Sequence, residues 1–239
     1  MRLDKCITSG GEWTRTQAKQ MIRSGRVLVD GTPVVRPETG VEPQKQEILI
    51  DGRRLLWRRR HLLMVNKPAG ILTATEDKRD RTVMDLLPER YQKLGLFPAG
   101  RLDKDAEGFV LMTDDGDLAH QLMSPKRHVD KVYYVRVAGA LVKTDAEAFR
   151  TGVVIDGGYL CAPADMEIIH SGTESEARVI LREGKFHQLK RMFQARNKCV
   201  IYLKREAIGG VQMDFSLEPG GFRELTEAEE AVLEGQIER

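Results

Sequence analysis

One short stretch near the middle of the chain, Pro98–Gly116, concentrates residues that could do chemistry. Arg101, Asp103 and Asp105 lie close together there, between two apolar segments. A carboxylate can act as a nucleophile or as a general base, and a neighbouring cation favours its ionised form. An ordinary solvated turn has the same composition, however, and by residue type alone Asp103 and Asp105 are equal candidates.

Other kinds of chemistry have little support in the sequence. There is no glycine-rich nucleotide loop, no serine nucleophile elbow and no His-Glu-x-x-His or other paired-histidine spacing. The three cysteines are far apart, which favours neither a disulfide framework nor a zinc ribbon. We therefore expect no metal and no cofactor, and we interpret the isolated histidines as surface or structural residues: His120, His128 and His170.

The chain has 239 residues, of which 41% are hydrophobic, so it can bury one large core or two smaller ones. No run of eighteen apolar residues is present, and the first residues lack the apolar stretch of a signal peptide. These features predict a soluble cytoplasmic protein that does not associate with a membrane.

The charge is unevenly distributed, although the net charge is only +2. Residues 1–61 contain 13 Lys and Arg against 7 Asp and Glu, whereas the remainder is mildly acidic. A small basic segment in front of an acidic body suggests a module that binds a polyanion. A solvated basic face is the alternative, and the charge count does not separate the two.

The pattern of this front segment predicts two helices followed by short strands. Thr14 and Gln17 form a capping box, and apolar residues follow at helical spacing. Asp30-Gly31 predicts a hairpin. On a helix, Arg15, Lys19, Arg23 and Arg26 would share one face without interleaved carboxylates, and a phosphate backbone would neutralise them. The segment resembles the alpha-L RNA-binding module known from a small-subunit ribosomal protein, which makes these four residues and Arg2 the expected RNA contacts.

The body of the chain shows many strand patterns with scattered helices and no βαβ rhythm. Lys131–Ala138 alternates as a strand, Thr144 begins a capping box, and residues 185–194 have helical apolar spacing. These patterns predict an α+β fold with a largely antiparallel sheet.

Four segments occur in an order and wording that resemble the RNA pseudouridine synthases, and more closely the branch typified by ribosomal small-subunit pseudouridine synthase A. They are Asn-Lys-Pro-Ala-Gly at 66–70, Gly-Arg-Leu-Asp at 100–103, Lys-Val-Tyr at 131–133, and Glu-Gly-Lys-Phe-His-Gln-Leu-Lys-Arg-Met at 183–192. The resemblance implies an alpha-L RNA-binding domain at 1–57, a linker at 58–61 and a larger, mainly antiparallel mixed-sheet catalytic domain at 62–239.

The resemblance also assigns roles to matching positions. Asp103 corresponds to the family's essential aspartate, and Arg101 to the arginine that holds the flipped-out nucleotide and the space it leaves. Tyr133 corresponds to the tyrosine that packs against the target base, and Lys190 to the cation that pairs with the aspartate. By composition alone Tyr134 is equivalent to Tyr133. His187 is left open between an RNA contact and a helix cap.

The implied activity is isomerisation of uridine to pseudouridine in ribosomal RNA, most closely the 16S RNA of an assembling small subunit, by a monomer. No cofactor is needed, because nothing is oxidised or hydrolysed. Two alternatives remain open from the sequence: a synthase that acts on large-subunit RNA, and a non-catalytic RNA-binding factor in ribosome assembly. The intact Asp103, Tyr133 and Lys190 favour an enzyme, since a protein that only binds RNA does not need all three.

Overall fold

The computed structural model describes residues 1–237, and the chain divides into two compact units. The first comprises Met1–His61 and Leu87–Leu96, and the second comprises Leu62–Leu86 and the described residues from Phe97 onward. Residues 87–96 were predicted to belong to the catalytic domain, whereas in the structure they belong to the first unit. The reason is close packing: a Cβ added at Gly11 would lie 2.2 Å from the Arg90 carbonyl oxygen.

The first unit contains two helices that pack on a small sheet and one further short helix. Helix α2 begins where predicted, because Thr14 Oγ1 accepts from the Gln17 amide (3.3 Å) and Gln17 Oε1 accepts from the Thr14 amide (2.8 Å). The sheet has the order β2-β1-β3-β4. The elements are α1 Leu3–Thr8, α2 Arg15–Arg23, α3 Glu89–Gln92, β1 Val27–Val29, β2 Thr32–Pro33, β3 Ile48–Ile50 and β4 Arg53–Arg54.

One apolar cluster forms the core of this unit. It combines the inner faces of α1 and α2 with those of β1 and β3. The hairpin predicted at Asp30-Gly31 joins β1 to β2 and is confirmed by the register Val29↔Thr32. The buried members are Leu3, Cys6, Ile7, Ala18, Met21, Ile22, Val27, Val29, Val41, Ile48 and Ile50.

The second unit is built on a large sheet with helices against it. Its helices are α4 Gly116–Met123, α5 Lys143–Thr151, α6 Gln188–Ala195 and α7 Glu227–Ile237. Its strands are β5 Leu62–Lys67, β6 Phe97–Ala99, β7 Glu107–Thr113, β8 Lys131–Ala138, β9 Val154–Ile155, β10 Tyr159–Leu160, β11 Asp165–His170, β12 Glu174–Leu181, β13 Cys199–Ile208, β14 Val211–Gln212 and β15 Phe222–Glu224.

Within residues 1–237 the large sheet has the order β11-β12-β8-β13-β7-β5-β15, with β6 beside β7 and β14 beside β13. Only the β13–β7 pair is parallel among these described strands. The strands β9 and β10 form a separate pair. The predicted α+β fold with a small N-terminal module and a mainly antiparallel mixed sheet is therefore confirmed.

The two faces of the sheet are covered differently. Phe109 and Leu111 of β7 pack with Leu118 and Leu122 of α4 and with Leu233 of α7. Side chains alternate along a strand, so the neighbours of Phe109 and Leu111 face the other side of the sheet. Tyr133 lies on that second side, because it is in register with Arg205 and, through it, with Gly108. Among residues 1–237 no helix has both the length and the apolar character needed to cross a bilayer.

Candidate active site

Asp103 lies in the loop between β6 and β7, and the residue before it is held in place by a threonine. Thr73 Oγ1 donates to the Leu102 carbonyl oxygen (2.9 Å) and accepts from the Leu102 amide (3.2 Å). The loop leaves β6 through Gly100, whose φ of +79° favours glycine. A Cβ at Gly100 would also lie 2.3 Å from the sulfur of Met123. The entry side of the loop is thus fixed by packing and by two hydrogen bonds.

The exit side of the loop is held by Lys67, which is fully buried. Its ammonium group donates to the carbonyl oxygens of Ala106 (2.6 Å), Pro68 (3.0 Å) and Lys104 (3.2 Å). The Gly70 amide also donates to the Lys104 carbonyl (2.7 Å). The segment 66–70 therefore clamps the backbone on the far side of Asp103. The segment 66–70 is one of the four motifs that carry the family resemblance, but the sequence suggested no role for Lys67.

The loop presents two carboxylates to one cation. Lys190 Nζ lies 3.2 Å from Asp103 Oδ2 and 2.6 Å from Asp105 Oδ1. The side chain of Asp103 is only 22% exposed, whereas that of Asp105 is 73% exposed. Composition could not distinguish the two acids, but their environments differ. Asp103 is the more enclosed carboxylate, and Lys190 comes from α6, far along the chain.

Lys190 and the two carboxylates of this site each favour the charged form of the other. Burial acts to lower the pKa of Lys190, but the hydrogen bond to Asp105 and the charge of Asp103 together raise it. The same hydrogen bond lowers the pKa of Asp105, against a smaller opposing effect of burial. Lys190 therefore stays protonated across the neutral range and supplies a fixed positive charge beside both carboxylates.

His187 is a second neighbour of Asp103. Its Nε2 lies 3.6 Å from Asp103 Oδ1, which is longer than a hydrogen bond. His187 occupies the N-cap position of α6, yet its side chain makes no capping hydrogen bond. Of the two alternatives left open by the sequence, capping by the side chain is therefore wrong. The predicted start of α6 at 185 is also wrong, because residues 185–187 form a turn before Gln188.

Tyr133 lies in a row of cross-strand neighbours on the second side of the sheet. Lys67 of β5 pairs with Gly108 of β7, Gly108 pairs with Arg205 of β13, and Arg205 pairs with Tyr133 of β8. A Cβ at Gly108 would lie 2.3 Å from the Arg205 carbonyl oxygen, so glycine permits this close approach. The row connects Tyr133 to the lysine that clamps the Asp103 loop.

The structure separates the two tyrosines that composition left equal. Tyr133 is buried, whereas Tyr134 faces the opposite side and contacts Tyr202 edge to face, with ring centroids 6.1 Å apart. No hydrogen bond or ring contact joins Tyr133 to Asp103 among the described residues. Arg101 is exposed, and within residues 1–237 it makes no hydrogen bond or ion pair, so its guanidinium is accessible to a ligand.

The basic residues of the first unit are less uniform than the sequence suggested. Arg2 donates two 3.0 Å hydrogen bonds to the buried Asp4, which Arg15 also approaches at 3.6 Å.

Arg26 lies beyond the end of α2 and forms a bidentate pair with Asp51. The expected face of four cations on one helix without nearby carboxylates is therefore wrong. Of the predicted RNA contacts, Lys19 and Arg23 remain without an ion pair among the described residues.

Lys131, also buried in the second unit, gives a prediction about stability. Burial, reinforced by the charge of Arg205, lowers the pKa of Lys131 to about 8 despite the opposing charge of Asp130. Below pH 8 the folded state bears the cost of a buried ammonium group. We therefore expect Lys131→Met to raise the free energy of unfolding at pH 7 by about 1–3 kcal/mol.

That advantage of Lys131→Met should narrow as the pH rises above 8. There the folded wild type releases the Lys131 proton while the unfolded chain, with an ordinary lysine, still binds it, so wild-type stability increases. Urea unfolding of both proteins at pH 7 and pH 9 measures the difference. A gap that widened with pH, or a variant less stable at pH 7, would contradict the assignment of Lys131 as a destabilising buried cation.

Among residues 1–237 no group of three or more His, Cys, Asp and Glu side chains is arranged to hold a metal ion. The groups gathered around the loop are instead an anchored carboxylate, a second acid, an ammonium group and an imidazole. This set can provide a nucleophile or base with a fixed countercharge.

Comparison with known proteins identifies the family of the chain. The sequence profile of the family described as RNA pseudouridylate synthase matches residues 61–195, and that of the S4 domain matches residues 1–48. The chain is 44% identical over 234 residues to the uncharacterized RNA pseudouridine synthase YtzG of Bacillus subtilis, covering 98% of each chain.

A second relative and a solved structure extend the comparison over the same length. The chain is 39% identical over 235 residues to ribosomal small subunit pseudouridine synthase A of Escherichia coli, covering 98% of this chain and all of the relative. A crystal structure described as pseudouridylate synthase has a TM-score of 0.69 and 34% identity over 98% of this chain and 99% of its own. The chain therefore belongs to the RNA pseudouridine synthases, isomerases of uridine in RNA, with an S4 RNA-binding domain in front of the catalytic domain.

Proposed function

We propose that this synthase isomerises a uridine in 16S ribosomal RNA, with Asp103 as the essential carboxylate. The observation that carries the proposal is the state of that carboxylate. It is largely enclosed, lies on a loop anchored from both sides, and has the Lys190 ammonium 3.2 Å away. The other two acids in residues 97–113 differ: Asp105 is mostly exposed, and Glu107 lies in β7, where its carboxylate accepts from the Tyr202 hydroxyl at 2.8 Å.

The chemistry explains why one positioned carboxylate is sufficient. The N1–C1′ glycosidic bond breaks, the base turns, and a C5–C1′ bond forms; C5 then loses its proton, and N1 gains one. Nothing is oxidised or hydrolysed, so the reaction needs a nucleophile or base beside the sugar and base. In our proposal Asp103 is that group, and Lys190 supplies its countercharge.

The target base must first leave the RNA stack, which costs about a few kcal/mol. We assign Tyr133 to pack against the extruded base, which can return about 1–3 kcal/mol. Arg101 is exposed and lies two positions before Asp103. We assign it to contact the neighbouring nucleotides and to fill the space that the base leaves. The accessible guanidinium of Arg101 supports its role, and the position of Tyr133 in the cross-strand row that ends at Lys67 supports the other.

The choice of small-subunit RNA is supported by the full-length similarity to a relative that is named as a small-subunit synthase. Purified protein should be incubated with unmodified 16S transcript, with 23S transcript and with reconstituted small-subunit particles. Chemical mapping should then detect one new pseudouridine in 16S RNA. Modification of 23S RNA alone would contradict the proposed target while leaving the activity intact. The domain limits, a cytoplasmic location and a monomeric state stay predictions.

The S4 domain binds RNA, and we infer that Lys19 and Arg23 of α2 make its phosphate contacts. Neither is paired with a carboxylate among the described residues. In the double variant Lys19→Ala/Arg23→Ala, the slope of log affinity for 16S transcript against log salt should fall in magnitude by about 1.5. Lys45→Ala is the control, because Lys45 is exposed but already paired with Glu42 at 2.7 Å. If the salt slope changed equally in the control, or did not change in the double variant, Lys19 and Arg23 would not be phosphate contacts.

A further inference from the structure

An exposed aromatic ring lies next to the catalytic candidates and has no part in the proposed reaction. Phe186 is 71% exposed, the most exposed phenylalanine among the described residues. Its ring is stacked on the His187 imidazole, with centroids 3.7 Å apart and planes within 19°. His187 in turn lies 3.6 Å from Asp103. A single exposed apolar side chain is ordinary by itself, but this ring is stacked on an imidazole that lies beside the candidate catalytic carboxylate.

The turn that carries this stack is held rigidly by its neighbours. Glu183 is buried and accepts from the Gln188 side chain (2.6 Å), the Ala162 amide (2.8 Å) and the Tyr159 hydroxyl (2.9 Å). The Lys185 amide donates to Gln188 Oε1 at 2.9 Å. The exposed ring is therefore presented by a preorganised turn, which lowers the entropic cost of binding a ligand to it.

The backbone of His187 adds a second sign of a functional constraint. Its φ of +50° and ψ of +30° lie in the left-handed region, which is uncommon for residues other than glycine. Such strain persists only where the surrounding structure imposes it, and it concentrates at functional sites. In this backbone conformation the His187 ring stacks on Phe186 with one face, and its Nε2 lies 3.6 Å from Asp103.

Basic and further aromatic groups extend the surface. Lys185 Nζ lies 4.8 Å from the centre of the Tyr159 ring, and both residues are exposed. We call the four residues Tyr159, Lys185, Phe186 and His187 the aromatic–basic strip. Aromatic rings interleaved with cations are typical of surfaces that bind single-stranded nucleic acid, because every base has a π face and every phosphate a charge.

We propose that the aromatic–basic strip binds an unpaired nucleotide of the substrate RNA beside the flipped uridine, with its base stacked on Phe186. The inference rests on Asp103 marking the position of the target. Extruding one base disrupts the stack of its neighbours, and a preformed aromatic surface at the edge of the site would replace part of that stacking. Lys185 is placed to contact the phosphate of the same nucleotide.

The test uses the full-length chain carrying Asp103→Asn, so that binding is measured without turnover. The probe is a short single-stranded RNA with 2-aminopurine next to a central uridine, because the fluorescence of this base falls when it stacks. The parent should quench the probe on binding. Phe186→Ala should abolish the quenching and weaken affinity about tenfold or more. Phe186→Tyr should keep both properties.

Two controls make the test specific. Phe215→Ala removes another exposed ring, which is 61% exposed and has the Lys204 ammonium above it. This variant should bind and quench the probe as the parent does. Phe186→Leu keeps apolar volume but no π face and should resemble Phe186→Ala. Unchanged quenching in Phe186→Ala, full function in Phe186→Leu, or no binding by the parent would overturn the proposal. Turnover by the Asp103→Asn parent would instead contradict the catalytic assignment, so the two failures are distinguishable.

Discussion

Replacing Asp103 by asparagine should reduce pseudouridine formation about 10³-fold or more while leaving the fold and RNA affinity intact. The amide has nearly the same shape, so the anchored loop keeps its hydrogen bonds through Thr73 and Lys67. It cannot act as a nucleophile or base at neutral pH, however. The loss is measured as release of tritium from C5-tritiated uridine in 16S transcript, because C5 loses its hydrogen when it becomes bonded to C1′.

Asp105→Asn is the matched control for Asp103→Asn. Asp105 is two residues away, contacts the same Lys190 and is 73% exposed. An exposed ion pair contributes about 0–1 kcal/mol, so we expect this variant to keep activity within about fivefold. If Asp105→Asn were inactive and Asp103→Asn active, the assignment of the two acids would be reversed.

Lys67→Met should lower activity about 100-fold although Lys67 touches no substrate, since a displacement of about 1 Å in a reacting group has that effect. The buried ammonium group donates to two carbonyl oxygens on the exit side of the loop, those of Lys104 and Ala106, and to that of Pro68, and methionine can replace none of these bonds. The loss should appear mainly in kcat, because Phe186, Arg101 and the S4 domain are unchanged. Far-ultraviolet circular dichroism should show an intact fold.

A variant of a second buried lysine, Lys131, shows whether the loss in Lys67→Met comes from the loop or from removing any buried charge. Lys131 donates to the Val129 carbonyl at 3.1 Å and makes no hydrogen bond to the 100–106 loop among the described residues. Lys131→Met should therefore retain most of the activity that Lys67→Met loses. Equal losses in the two variants, or wild-type kcat in Lys67→Met, would show that the clamp does not position Asp103.

Local patterns in the sequence predicted the local structure well. The capping box of α2, the Asp30-Gly31 hairpin and the limits of β8 all depend on residues that are close in sequence, and the structure confirms them. The predicted cap at Thr144 is wrong, because α5 starts at Lys143 and the Asp145 side chain accepts from the Val142 amide instead. Asp145 reaches back to the Val142 amide, so the helix begins one residue before Thr144, and the sequence alone did not show which of the two side chains would fix the start.

The site itself depends on contacts that no local pattern contains. Lys190 reaches Asp105 across 85 positions, and Lys67 reaches the Ala106 carbonyl across 39. Resemblance to a family indicated Lys190, because its residue type is part of a motif. It did not indicate the function of Lys67, because the groups that Lys67 binds are backbone carbonyls, which every residue has.

The central claim is that Asp103 of this chain makes a pseudouridine in small-subunit RNA. Chemical mapping of 16S and 23S RNA from cells that lack the protein, complemented with wild type, Asp103→Asn or Asp105→Asn, tests it most directly. The account predicts one 16S uridine that is modified with wild type and Asp105→Asn but not with Asp103→Asn, at equal protein levels. Restoration of that pseudouridine by Asp103→Asn would contradict it.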